Sequence, residues 1–184
     1  LEQVILNGRM RAYGLEIMLK KNEGKFNGWI SYTLSRSEQQ TPGRTILETG
    51  INNGEWYKSA FDKTHNLAIT SAYELNKKWS FGANFALQSG QPVTFPNGQY
   101  QYLGITVPSY GLRNENRLPA YHHLDISATL SPSKNSSRST KSEWVFSIYN
   151  VYSRYNPYFI YFDQTGSPYD GSLKVEARQV SLFP

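Results

Sequence analysis

The chain has no cysteine among its 184 residues and only three histidines. Disulfides, thiolate nucleophiles and cysteine metal ligands are therefore excluded together, and an oxidising compartment is compatible with the composition. No apolar run approaches the roughly 18 residues of a membrane-spanning helix, because a polar residue interrupts each one within a few positions. The chain opens at Leu1 without a charged start, apolar stretch or small-residue cleavage site, so a targeting peptide is expected to be removed or to lie outside it. A compact basic stripe is also lacking. The formal charge is +5, yet Lys20, Lys21 and Lys25 flank one turn, Lys77 and Lys78 another, and Lys134, Arg138 and Lys141 a third. That scatter is a set of solvated turns, not a nucleic-acid surface.

What is abundant is aromatic. Fourteen Tyr, nine Phe and four Trp make up 15% of a chain whose mean hydropathy is −0.56. Polar on average but rich in amphipathic rings, such a composition suits strands with one wet and one apolar face.

Period-two alternation runs through most of the sequence. Tyr13, Leu15, Ile17 and Leu19 form an apolar row, and after Asn22-Glu23-Gly24 so do Phe26, Gly28, Ile30, Tyr32 and Leu34. A second hairpin is predicted from the rows Leu67 to Leu75 and Trp79 to Leu87, joined at Asn76-Lys77-Lys78. A third pairs Leu124, Ile126, Ala128 and Leu130 with Trp144, Phe146 and Ile148 across a Ser/Lys-rich turn from Ser131 to Ser142. A last, weakly alternating strand is expected from Leu173 to Phe183, giving about seven.

Between these hairpins lie long connections, from Ser37 to His65, Ser89 to Tyr121 and Val151 to Ser172. Short and long connections alternate, as in an outer-membrane barrel with short periplasmic turns and long extracellular loops. A compact water-soluble domain seldom holds three long structureless loops. The fold expected is all-β: an antiparallel up-and-down transmembrane β-barrel, present as a fragment of about seven strands. Leu15, Ile17, Leu67, Ile69, Phe81, Phe85, Ile126 and Phe146 are expected to face lipid. Glu16, Thr33, Glu74, Asn84, Gln88 and Asp125 are expected to face the lumen. Two alternatives stay open: a small self-contained barrel or porin with an eighth strand near Tyr155 to Asp163, and a soluble β-sandwich that binds carbohydrate.

Several short segments carry a likeness to a known family. They are Gly14-Leu15-Glu16, Gly28-Trp29-Ile30-Ser31-Tyr32, the stretch from Phe61 to Leu67, Ser89-Gly90-Gln91-Pro92-Val93-Thr94, the stretch from Arg113 to Asp125, and Tyr149 to Pro157. In their order and spacing the chain resembles the C-terminal barrel region of TonB-dependent outer-membrane receptors, particularly of the Bacteroidetes type, over nearly its whole length. His123 departs from the pattern, standing where the family more often has Arg. The resemblance implies a twenty-two-stranded barrel enclosing a plug, placed in the bacterial outer membrane. It also implies active import of a siderophore, glycan or peptide, driven by the TonB complex acting through the plug. On that reading residues 1–184 are the C-terminal part of such a barrel, without the plug and the remaining strands.

Catalytic and metal constellations are poor. His122 and His123 point to opposite faces of a strand, which defeats shared coordination. His65 beside Asp62 reads as a hydrogen-bonded corner. No enzymatic role, metal or cofactor is expected. Ser89-Gly90-Gln91-Pro92 and Gly166-Ser167-Pro168 lack phosphate-loop spacing and read as turns. The expected partners are outer-membrane lipid and an imported small molecule or oligomer. Candidate ligand contacts are the loop aromatics Trp56, Tyr57, Tyr100, Tyr102 and Tyr110, followed by Tyr155, Tyr158, Tyr161 and Tyr169. Arg113 and Arg117 join them as forked groups for an anion. For the two arginines an internal tie that fixes the loop is the competing role.

Overall fold

The computed structural model describes residues 6–103, 105–132, 142–167, 172 and 174–182. In chain order its elements are β1 (Arg9–Lys21), β2 (Phe26–Gln40), a short 3₁₀ turn (Ile51–Gly54), β3 (Tyr57–Lys58), β4 (His65–Glu74) and β5 (Trp79–Gln88). There follow β6 (Pro92–Val93), β7 (Pro96–Tyr102), β8 (Ile105–Tyr110), β9 (Asn116–Arg117), β10 (Tyr121–Leu130), β11 (Trp144–Ile148), β12 (Asn156–Thr165) and β13 (Lys174–Leu182). The principal sheet runs β1-β2-β4-β5-β10-β11, with β3 beside the end of β2, and every pairing in it is antiparallel.

The turns explain the hairpins. Gly24, at φ 90°, supplies the left-handed residue that closes β1 onto β2. Between β4 and β5, Asn76 Oδ1 accepts the N–H groups of Lys78 and Trp79 at 2.8 and 2.9 Å, an Asx closure that fixes the register.

Register then extends one face across six strands. Leu15 lies opposite Leu34, Ile30 opposite Ile69, Ile69 opposite Phe85, Phe85 opposite Leu124, and Ile126 opposite Ile148. Directly opposed residues share a face. Leu15, Ile17, Leu67, Ile69, Phe81, Phe85, Ile126 and Phe146 therefore form one continuous apolar surface. The other surface holds Glu16, Thr33, Asn84, Gln88 and Asp125. The ten-residue strands β4, β5 and β10 extend about 33 Å along the chain.

No second layer covers either surface among the described residues. Tyr57 is the one buried hydrophobic side chain described, whereas Leu15, Leu19, Phe81, Phe146 and Trp144 are broadly exposed. The chain presents 13269 Å² of accessible surface at 21.0 kDa, against about 9,000 Å² for a compact monomer of that mass. Exposed apolar faces of this extent are characteristic of interaction surfaces.

Two expectations are corrected. The strand placed at Leu173 to Phe183 is not a member of the principal sheet: its described part, β13, pairs with β12, and the two form a separate hairpin. Asn156 at the start of β12 bonds to His122, and the Phe162 ring meets Phe95, so the hairpin stands at the long-connection end of the sheet. The connection from Val151 to Ser172 is accordingly no structureless loop. Nor is that from Ser89 to Tyr121, which holds the hairpin β7–β8 and the short pair β6–β9. β1 and β11 are the two edges of an open sheet, and no pairing among the described residues closes it, as expected of a partial barrel.

Gly28 marks the closest approach of β2 to β4. A Cβ built there collides with the carbonyl oxygen of Thr70 and lies 2.9 Å from Ser71 Cα, both backbone atoms that cannot swing away. Gly28→Ala should destabilise the protein by about 1–3 kcal/mol through overpacking. Gly98, with nothing within 4 Å of its added Cβ, is the matched control. Denaturant midpoints of the two variants provide the check; equal midpoints would refute the close approach.

Candidate ligand-recognition site at the loop end

The long connections are stitched together by side chains that bond to backbone. The central knot is Arg117 on β9. Its Nη1 donates to the carbonyls of Asp62 and Gly90 at 3.1 and 2.9 Å, and its Nη2 donates to Thr64 Oγ1 at 2.9 Å and to the Asp62 carboxylate. Asp62 is 1% exposed and also accepts the Ser37 N–H at 2.6 Å. One guanidinium thus holds the first long connection, the end of β5 and the second long connection in a fixed arrangement. Asparagines extend the seam. Asn52 and Arg113 exchange two bonds through the Arg113 backbone, and Asn114 reaches Lys58 O at 2.7 Å.

A second seam closes the upper edge of β10, whose first residues extend beyond the end of β11. Val151 N–H donates to Leu124 O, and the Asn156 side-chain amide takes the His122 N–H and returns a bond to the His122 carbonyl, both at 2.9 Å. Asn156 thereby replaces a missing strand neighbour. Asn150, left-handed at φ 48° and buried, donates its backbone N–H to Asp125 Oδ1 and exchanges bonds with the Arg154 backbone. Asn52, Asn114, Asn150 and Asn156 carry the stitching, and nothing in their local sequence announces their partners.

Upon this frame the candidate residues separate into three groups. Tyr57 is 7% exposed, paired in β3 and within 3.3 Å of Thr41 Oγ1, and Arg117 is committed to the knot. Both are frame residues. Trp56 is drawn elsewhere: its ring lies 4.1 Å from the guanidinium carbon of Arg11, on the side of the sheet that carries the apolar rows. The remainder stay open to solvent. Tyr100 and Tyr102 alternate on β7 opposite Val107 and Ile105, and this face of the hairpin turns away from buried Thr106. Tyr110 ends β8 opposite Pro96, and the Arg113 side chain is exposed. On the β12–β13 hairpin Tyr158 and Tyr161 flank Phe159, with ring centroids 5.6 and 6.0 Å from it, and Tyr155 precedes them on the connection. Tyr169 lies outside the described residues.

The two neighbouring histidines part as strand geometry requires. His122 Nδ1 lies 2.8 Å from Tyr152 Oη, and His123 Nε2 lies 3.3 Å from Asp125 Oδ2 beneath Tyr149. His65 Nδ1 lies 2.8 Å from Tyr32 Oη. No three metal-binding side chains gather among the described residues. In the first long connection Arg44 holds the Glu48 carboxyl below its usual range through a 2.9 Å bond, but the pair is exposed and fixes little. One well-formed hollow lies away from the loop end. Of about 500 Å³, it lies on the apolar face where Ser71, Ala83 and Ala128 leave a dent between Tyr73, Phe81, Ile126 and Phe146.

The loop end therefore offers flat, exposed rings mounted on stitched hairpins. Such rings stack on sugars, aromatic groups or peptide side chains at small entropic cost. Comparison with family models, curated proteins and solved structures finds no match for the chain.

Proposed function

We propose that this chain is part of an outer-membrane β-barrel receptor of the TonB-dependent kind, and that its loop-end hairpins contact an imported substrate while the strands supply the frame. It acts without catalysis, and the energy coupling belongs to a plug that the chain itself does not contain. The observation that carries the reading is the single apolar face running through six paired strands, with a polar face behind it and no layer upon either among the described residues. The ten-residue strands, tilted by about 40°, cross about 25 Å, the height of the apolar band of such barrels. Aromatics stand near both ends of that band: Tyr13 and Tyr32 toward the long connections, Phe26, Tyr73, Trp79 and Trp144 toward the short turns.

A β-sandwich would need a second sheet against this face, and a self-contained barrel would need β11 to meet β1. Neither pairing exists among the described residues. The parent reading frame tests the proposal directly. A plug domain and a signal peptide should precede Leu1 in it, and a frame without them would sink the receptor reading.

Within the parent receptor, changing Tyr100, Tyr102 and Tyr110 together to Ala should weaken substrate binding, while surface expression stays near normal. Each ring contributes about 0.5–1.5 kcal/mol beyond its buried area, so the combined variant should bind roughly tenfold or more weakly. The measurement is uptake and binding by whole cells, with surface labelling as the control. A variant that reaches the surface and binds like the parent would move recognition to other parts of the receptor.

A further inference from the structure

Beyond the upper end of the apolar band, the same face of β1 and β2 changes from apolar to basic. Tyr13 is followed on that face by Arg11 and Arg9, and Leu34 by Arg36 and Glu38. The buried Glu38 carboxylate accepts from Arg11 Nε and from Arg36 Nε, each at 2.7 Å. Trp56 covers the Arg11 guanidinium at 4.1 Å, while Arg9 is exposed. Three guanidinium charges facing one carboxylate leave an excess of two. The Arg11 and Arg36 heads are held in place from beneath, and each retains N–H groups that Glu38 does not use.

From this arrangement we infer that Arg9, Arg11 and Arg36 bind the phosphate of a membrane lipid headgroup in the leaflet on the long-connection side. The inference rests on the barrel reading above. Height supports it. Arg11 and Arg9 stand about 7 and 13 Å along β1 past Tyr13, hence about 5 and 10 Å above that interfacial ring at a 40° tilt. The headgroup zone is roughly 5–8 Å thick on each side, so Arg11 lies within it, Arg36, opposite Tyr13, at its inner boundary, and Arg9 just beyond its outer one, from where a long side chain can reach back to the phosphates. Chemistry supports it too, since the planar fork of Arg matches phosphate oxygens in a way that a lysine ammonium does not. The Arg44–Glu48 pair, by contrast, is closed upon itself in the first long connection.

The test uses the full-length, detergent-solubilised receptor titrated with short-chain phosphatidylglycerol and followed by native mass spectrometry. Phosphatidylcholine and inorganic phosphate are the comparison arms. The double variant Arg9→Gln with Arg36→Gln removes the excess charge yet keeps Arg11 paired with Glu38. Each arginine near an anionic headgroup is worth about fivefold in affinity, so the double variant should bind phosphatidylglycerol roughly twenty-five-fold more weakly. Added salt should shrink the difference. Phosphatidylcholine, whose phosphate is offset by its own ammonium, should bind more weakly to the parent and lose less in the variant, and phosphatidylglycerol binding by Arg44→Gln should not change. Equal binding of phosphatidylglycerol by parent and variant would overturn this inference alone, as would inorganic phosphate competing at the same concentration as the lipid. A receptor that is monodisperse in water without detergent would overturn the barrel reading, and this inference with it.

Discussion

Arg117→Ala should destabilise the loop end by about 3–5 kcal/mol, the cost of leaving a buried charge without its partner. Asp62 is 1% exposed, and without Arg117 its carboxylate keeps only the Ser37 N–H and a 3.4 Å contact from Thr64 Oγ1. The reverse change should cost less. Arg117 has a 26% exposed side chain and bonds to Gly90 O and Thr64 Oγ1 that do not depend on the carboxylate, so Asp62→Ala leaves the cation partly solvated and partly held. The double variant should fall well short of the sum of the two, because each single change carries the penalty of the partner left behind. Susceptibility of residues 41–64 to limited proteolysis, together with denaturant unfolding of the protein in detergent, reads the effect. Simple additivity of two small losses would mean that the pair is an ordinary surface contact worth under about 1 kcal/mol.

This knot also marks where sequence reasoning reached its limit. Strands β1, β2, β4, β5, β10 and β11 were legible because a side-chain period of two shows in any strand with one apolar face, and a register slip would reverse that face. Trp79–Gln88 and Trp144–Ile148 begin and end where the alternation does. β7 was not legible, and β12 was read only in one alternative, as the eighth strand near Tyr155 to Asp163. The first, Pro-Asn-Gly-Gln-Tyr-Gln-Tyr, offers polar residues to both faces. The second carries the unbroken run Tyr158-Phe159-Ile160-Tyr161-Phe162. With neither face distinguished, their strand character comes from the hairpin partner and not from amphipathicity. The weak alternation of β13 concealed a similar case, and placing it in the principal sheet miscounted the members of that sheet. Arg117 and the asparagines were harder still. Their partners are backbone carbonyls on remote connections, and a carbonyl leaves no trace in the identity of the residue that bears it.

Among the candidate contacts the same limit shows in Trp56 and Tyr57. Side by side in a connection, they read alike as rings available to a ligand. In the folded chain β3 pairs with the end of β2, and this two-residue ladder sends adjacent side chains to opposite faces. Tyr57 enters the small core beside Thr41, while Trp56 crosses to Arg11 on the apolar side of the sheet. Composition drew attention to both rings, and topology decided which way each one turned. Under the proposed function the candidates that stay available are those on the projecting hairpins, where Tyr100 and Tyr102 have no strand on their outer side among the described residues.

The same alternation yields the second large effect. Ile69 sits mid-strand in β4 between Ile30 and Phe85, and Thr70 beside it lies between Trp29 and Asn84 on the polar face. If the apolar face meets hydrocarbon, Arg at Ile69 falls near the bilayer midplane and should cost roughly 2–4 kcal/mol. Arg at Thr70 enters a polar interior and should cost far less. Position along the strand, backbone pairing and the substituted residue are nearly the same in the two variants, so only the face differs. Thr70 also carries the carbonyl that lies against Gly28, but that group belongs to the backbone and is unaffected by the substitution. Folding yield into liposomes, scored by the mobility shift between unheated and heated samples, separates the outcomes. Loss confined to Ile69→Arg fits a lipid-facing apolar surface. Equal loss from both would contradict the face assignment, and tolerance of Arg at both would mean that the apolar rows meet neither lipid nor a packed core.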